Sequence, residues 1–326
     1  MADAFTNTST LSTATLAYEM LSYFPLRAEL YFDALADIKP TNQSHPGSSV
    51  RFSIYNDLAA NITPLSESVD VDAVAVSDTG VTVALNEYGA AALSTARIRG
   101  QSYLVVSSDV ANVVGYNAGL SFDSLARNPL VAGTRVQFGT GGAIVARNQV
   151  TTAMPLTAAQ CRNAFMCLVS RNVQRRVNNL YAAYASPIPA TDLRAETGAA
   201  AWRDPHTYSQ PEQIWNGEVG SFEGFAFMET PRLTAANLNN SGGGTFAGGG
   251  AASADVHPTI FCGKQALAKT WSKSVSAEQP QIILGAVVDK LQRFVPVGWY
   301  WMGGFGRFRE DAIFRQESGS TLSVAP

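Results

Sequence analysis

The sequence predicts an α+β fold, in which strands and helices occupy separate stretches of chain instead of alternating strictly. Three observations predict it: strand-like patterning over residues 50–88, a helical period over residues 109–127 with a second helix signal at Thr157, and a return to strands and loops from residue 224 onward. At 326 residues the chain exceeds one typical domain length, which predicts two sub-structures or a core with long extensions.

Residues 1–44 begin polar and then carry short helical patterns, with Leu30, Phe32, Leu35 and Ile38 following Pro25, before running into "KPTNQSHPGSS". Such a segment has too little apolar surface for a core of its own and has to lie on another surface. Next, "VRFSIY", "VDVDAVAV" and "VTVAL" alternate like strands, with "SDTG" supplying turn chemistry between the last two. The expectation is a long β-hairpin that carries Asp57, Glu67, Asp70, Asp72, Asp78 and Glu87 but no lysine. A hairpin is marginally stable alone in water, so this one needs a surface in its own chain or in a neighbour's.

Residues 109–127, "DVANVVGYNAGLSFDSLAR", follow a Ser107-Ser108 start signal and stop before Pro129, which predicts a long helix with Val110, Val113, Val114, Ala118 and Leu125 near one face. Gly115 and Gly119 stand one turn apart. Each lowers helix propensity by about 1 kcal/mol, a loss that close packing against a backbone would offset. After strand-like "TRVQF", Thr157 and Gln160 sit at capping-box spacing, with Leu156, Cys161, Phe165 and Leu168 at helical intervals. The strand-like stretches "GFAFME", "PTIFCG", "PQIILGAV", "FVPVGWYWMGG" and "AIFRQES" complete the chain, and no internal repeat of fixed period is visible.

Charged residues make up 15% of the chain, against an ordinary value of roughly a quarter, so much of the surface is expected to face something other than water. Lys and Arg number 23 against 26 Asp and Glu, and a net charge of −3 argues against strong attraction to a phosphate backbone. The lysines are Lys39, Lys264, Lys269, Lys273 and Lys290; every other basic residue is arginine. That bias fits a protein made of interfaces and equally a GC-rich genome. Three cysteines, Cys161, Cys167 and Cys262, show no ligand spacing and point to a reducing compartment. The N-terminal stretch lacks a basic segment before an apolar one, and no run approaches the roughly 18 apolar residues that cross a bilayer, so the expectation is a protein kept in the cytosol until it is assembled.

Candidate sites fail one by one. The run "SGGGTFAGGG", residues 241–250, holds six glycines, but a P-loop needs GxxxxGK[ST], and the nearest Gly-Lys pair, Gly263-Lys264, is followed by Gln265 and has Pro258 five positions before Gly263. "FGTGGAIVARN" offers Gly139, Gly141 and Gly142 after a strand, yet Ile144 stands where a dinucleotide fingerprint needs glycine, and a β-turn is the better reading. His45, His206 and His257 lie near prolines without metal-ligand spacing. Asp192, Glu196 and Asp204 read as a solvated helix with local ion pairing. "WYWMGGFGRFRED" mixes aromatics with Arg307 and Arg309, but Glu310 and Asp311 follow directly, and a buried sheet with an aromatic face accounts for it better than a nucleic-acid platform. No catalytic, cofactor-binding or metal-binding residue is assigned, no cofactor is expected, and the chain is not expected to be an enzyme.

The order of polar arm, acidic hairpin, long helix, second helix, α+β segment and closing β stretch resembles the tailed-phage major capsid protein of the Hong Kong 97 fold, in particular the coat-protein branch typified by phage N-four. The likeness rests on "VRFSIYNDL", "TPLSE" and "LNEYG" in the hairpin, "DLR" with Trp202, "WNGEVGSFEGFAFMET", "IFCGKQALAKTW" and "VPVGWYWMGGFGRFREDAIFRQES", in that order over nearly the whole chain. Departures occur at Leu267, where that family often has tyrosine, and at the glycine run, an insertion of unusual composition.

The resemblance implies an N-terminal arm over residues 1–44, an extended β-hairpin (E-loop) over 45–100, a peripheral domain over 101–176 and 288–326 with its spine helix at 109–127, and an axial domain over 177–287 with a Gly-rich loop at 241–250. It implies a major capsid protein that self-assembles into hexamers and pentamers of an icosahedral shell around a double-stranded DNA genome held without sequence-specific binding. The implied partners are a portal, a separate scaffolding protein and decoration proteins, with no membrane; the implied place is the virion capsid, after synthesis in the bacterial host cytoplasm. Some coats of this fold cross-link a hairpin lysine to a neighbour, and with no lysine between Lys39 and Lys264 no such bond is expected here. Six glycines are costly to order, so the loop at 241–250 is expected to be mobile near the capsomer axis. The other readings are an encapsulin-type bacterial nanocompartment shell and, remotely, a nucleotide-binding enzyme.

Overall fold

The computed structural model describes residues 30–38, 48–65, 67, 70–101, 106–176, 179–196, 218–238, 244–284, 291 and 293–322. In chain order these form β1 (Ala36–Ile38), β2 (Ser49–Tyr55), β3 (Asp78–Ala84), β4 (Asn86–Thr95), α1 (Ala96–Gln101), α2 (Val106–Val131), β5 (Val136–Phe138), α3 (Ala158–Ser170), β6 (Tyr181–Ala185), α4 (Pro187–Ala195), β7 (Glu218–Phe222), β8 (Phe225–Glu229), β9 (His257–Cys262), β10 (Leu267–Trp271), β11 (Gln281–Leu284), β12 (Phe294–Arg307) and β13 (Ile313–Ser318).

The first sheet is organised around β12, which is long enough to pair antiparallel with β4 along one edge and with β11 and then β10 along the other; β1 adds parallel to β10. Side chains alternate across a strand, so Val297, Trp299 and Trp301 share one face. That face is covered by α2 through Val114, Ala118 and Phe122. The Phe122 ring meets Trp301 edge-on at 4.9 Å, and Trp299 Nε1 donates to Asn117 Oδ1 at 2.9 Å. The aromatic segment is thus the buried sheet face that the sequence predicts. A β-carbon at Gly115 would stand 3.3 Å from Ile282 Cδ1, so this glycine admits a side chain of β11 and not the expected backbone.

The second sheet runs β5-β13-β9-β6-β8-β7. Its core joins Cys161, Ala164 and Leu168 of α3 to Tyr181, Phe225 and Phe261, with the Phe225 and Phe261 rings 4.6 Å apart. The capping box of α3 forms as predicted: Thr157 N donates to Gln160 Oε1 at 3.0 Å. Gln160 Nε2 then donates to Gly139 O at 2.9 Å, fixing the turn after β5.

Three expectations change. Helix α2 continues through Pro129 to Val131. A proline in the last turn removes only one helical hydrogen bond, and Leu130 and Val131 are fully buried, which holds the turn in place. The hairpin forms between β2 and β3, in register from Ser49 opposite Ala84 to Tyr55 opposite Asp78. "SDTG" therefore opens β3 instead of turning the chain, and residues 70–77 are not a strand. Alternation specifies a strand only where a neighbouring strand is available to pair with it.

Sheet membership also crosses the expected domain boundaries. β10, from 177–287, and β4, from 45–100, both join β12, whereas β13, from 288–326, and β5, from 101–176, join the second sheet.

Candidate assembly interface

The hairpin has a fixed base and an open tip. At the base, Phe52 and Val83 bury against Ala268 of β10, the Phe52 ring lies 5.4 Å from Phe308, and Arg51 pairs with Asp78 at 3.2 Å. Asn56 N donates to Ser77 O at 2.9 Å and closes the neck. Beyond the neck, the described residues 56–65, 67 and 70–77 carry Leu58, Ile62, Leu65, Val71, Val74 and Val76 to solvent, with Ile62 90% exposed. This grouping of exposed apolar side chains is the candidate contact surface. Further exposed apolar side chains lie on the first sheet, at Leu93 of β4 and at Ile282, Ile283 and Leu284 of β11.

The N-terminal segment enters as a strap. Asp123, fully buried on α2, accepts from the backbone N–H of Tyr31 at 2.8 Å and of Phe32 at 2.9 Å. Burial pushes its carboxyl above the usual carboxylate range, against those two hydrogen bonds and the nearby Arg232 and Arg127 guanidiniums, which pull it down. Lys269 of β10 is also fully buried; its Nζ lies 2.7 Å from Asp33 Oδ1 and 3.4 Å from Glu278 Oε1. Arg176 donates to the carbonyls of Ala34 and Leu35. Residues 31–38 therefore lie on their own chain's body. Sequence reasoning missed Asp123 and Lys269, although a lone charge inside an apolar pattern ("LSFDSLA", "ALAKTW") was the available signal.

Residues 244–250, the part of the glycine run within the described residues, pack onto the body of the chain. Phe246 is fully buried, and Arg147 stacks 3.8 Å from its ring centroid while donating twice to Glu317, at 2.6 Å each. Gly248 N donates to Asp255 Oδ1 at 2.8 Å and Val256 N to Phe246 O at 3.0 Å. With φ of +92° at Gly244 and +65° at Gly248, these glycines supply left-handed turns around an aromatic anchor. The run's other residues, 241–243, lie outside the described residues.

The remaining candidates scatter. Gly139, Gly141 and Gly142 all have positive φ in a turn closed by Gly141 N donating to Phe138 O at 2.9 Å, and no α-helix starts at that turn. Glu196 caps α3 by accepting from Ala158 N at 2.7 Å, and burial pushes the Asp192 carboxyl up, so neither behaves as part of a fully solvated helix; Asp204 lies outside the described residues. Cys161 and Cys262 are buried free thiols. Among the described residues no group of three or more His, Cys, Asp and Glu could hold a metal ion, and no helix is long and apolar enough to cross a membrane.

His45 and His206 lie outside the described residues, whereas His257 is buried on β9. Burial pushes its imidazole below the ordinary 6.5, against the pull of Asp255. As pH falls through that value, the unfolded chain takes up a proton that the folded imidazole resists, so stability declines with falling pH, by at most about 1.4 kcal/mol per pH unit. Urea midpoints at neutral and mildly acidic pH are expected to diverge less for His257→Gln than for the wild type.

A strap, a long open-tipped hairpin, a helix lying along one sheet and a second sheet beside it define a shell subunit of the Hong Kong 97 type. The chain belongs to the family of phage capsid proteins, whose family model matches residues 7–324. Its structure is similar to that of the cyanophage Pam1 capsid asymmetric unit (14% identity, TM-score 0.78, covering 99% of this chain and 100% of that one). It is also similar to the capsid of Ralstonia phage GP4 (12% identity, TM-score 0.72, covering 97% of each) and to the head structure of Helicobacter pylori bacteriophage KHP40 (10% identity, TM-score 0.64, covering 98% of each). No curated protein matches the sequence.

Proposed function

We propose that the chain is the major capsid protein of a tailed phage, assembling with copies of itself into an icosahedral shell around double-stranded DNA. The observation that carries this reading beyond family membership is the hairpin: its base is anchored in the chain's own core, while its apolar tip is left in solvent. Apolar surface of this kind becomes stabilising only when it is covered, and in a closed symmetric shell every copy both offers and receives such a contact. Many modest interfaces then add up to a stable container.

In this reading the first sheet with α2 is the peripheral domain, with β4 and β10 included, and the second sheet is the axial domain, with β5 and β13 included. The subunit is structural and turns over no substrate. A net charge of −3 suits a wall that encloses DNA without gripping it. Portal, scaffolding and decoration proteins are its further partners, and synthesis takes place in the host cytoplasm before assembly.

Electron microscopy of the expressed chain tests the reading. Closed particles in the size range of phage heads, able to enclose DNA when made with their packaging partners, are the expected result. Small shells filled with an enzyme would favour a nanocompartment, and a soluble monomer at high concentration would reject both.

A further inference from the structure

We propose that Lys269 and Asp33 condense into an isopeptide bond within one chain, with Glu278 carrying the proton. Three features of the site are those the chemistry needs. The nucleophile is held against its electrophile: Lys269 Nζ stands 2.7 Å from Asp33 Oδ1. Lys269 is placed by the parallel pairing of β10 with β1, which sets it opposite Ile38, and Asp33 lies in the short 3-10 turn, Asp33–Leu35, that leads directly into β1. A second carboxylate is within reach of the same nitrogen, Glu278 Oε1 at 3.4 Å. The amine is wholly excluded from water and lies 4.9 Å from the Phe122 ring centroid and 5.8 Å from that of Trp271.

The step balances without an oxidant or co-reactant. The ammonium gives a proton to Glu278, and the freed lone pair on Nζ attacks Asp33 Cγ to form the C–N bond. Glu278 returns that proton to an Asp33 oxygen, a second proton from the nitrogen follows, and the C–O bond breaks to release one water. An ammonium and a carboxylate become a neutral amide plus water. In open water this condensation runs backwards, but a fixed pair has a very high effective concentration. Converting the fully buried ammonium and its half-buried carboxylate into an amide also removes the penalty of keeping the Lys269 charge out of water. Glu278, about half exposed, opens the site to solvent on one side, which lets the water leave.

The bond would tie the strap to β10 within the subunit. It is therefore distinct from a hairpin cross-link between subunits, and a denaturing gel of particles should show single chains and no ladder. The test is intact mass and peptide mapping of the full-length chain under denaturing conditions, taken both from soluble subunits and from assembled particles. The expected result is a mass lower by one water than the sequence gives, with a branched peptide joining Asp33 to Lys269. The loss should vanish in Lys269→Arg and fall to a small fraction of chains in Glu278→Gln, which leaves the Lys269–Asp33 pair intact. Full mass with an unmodified Lys269 peptide in both wild-type samples overturns the proposal, and needs no variant to fold. A lost water mapped to other residues overturns it as well.

Discussion

Asp123→Ala is expected to lower subunit stability by about 3–5 kcal/mol, the cost of removing one partner from a buried charged cluster. The side chain does two things at once. It accepts the backbone N–H groups of Tyr31 and Phe32, which otherwise end against the body of α2 with no acceptor, and it offsets the Arg127 and Arg232 guanidiniums beside it. Arg127 is itself buried, and desolvation by the surrounding side chains already lowers its pKa, so it tolerates little further loss of counter-charge. Asp123→Asn separates the two contributions, because an amide oxygen can still accept both N–H groups. The amide keeps both acceptor contacts to the strap, so the amide variant is expected to lose clearly less than the alanine variant. Denaturant midpoints of unassembled subunits check this. Equal losses in the two variants would show that charge, and not anchoring of the strap, is what Asp123 supplies.

Legibility in the sequence followed the range of the interaction. Helix α3 could be read because its capping box is local: Thr157 and Gln160 are three residues apart, and their hydrogen bond needs nothing else from the fold. The helix-facing row Val297, Trp299 and Trp301 could be read because alternation and aromatic content both survive in a short window. The sheet to which a strand belongs could not. β10 and β13 look alike locally, and what separates them is a partner far along the chain, β12 for one and β9 with β5 for the other. Isolated charges were missed for a related reason. Asp123 and Lys269 acquire a role only once the strap that covers them is known, since neither Tyr31 and Phe32 nor Asp33 lies near them in sequence. In the glycine run, composition signals backbone freedom, while the anchor of its described part, residues 244–250, is the buried Phe246 under Arg147, a contact with a residue far away in sequence.

Replacing Ile62, Val74 and Val76 together with serine is expected to abolish shell formation while leaving the subunit folded. All three side chains lie beyond the hairpin neck and are more than half exposed, so the isolated subunit gains little from them, and its denaturant midpoint should stay within a few tenths of a kcal/mol of the wild type. Once a neighbour covers them, each is worth about 1.5–3 kcal/mol, and every copy in the shell loses that amount at each contact the tip makes. Weak contacts repeated by symmetry fail together, so the expected outcome is loss of particles and not a gradual fall in yield. The same tip carries the carboxylates Asp57, Glu67, Asp70 and Asp72, and their like charges are expected to keep free tips apart before assembly. Phe52→Ala provides the contrast. That ring is buried at the hairpin base against Ala268 and Phe308, so its loss should reduce the stability of the subunit itself. Light scattering and electron microscopy of the triple variant, beside its unfolding curve, decide the matter. Normal particles from a folded triple variant would move the assembly contact away from the hairpin tip and onto the exposed apolar residues of β4 and β11.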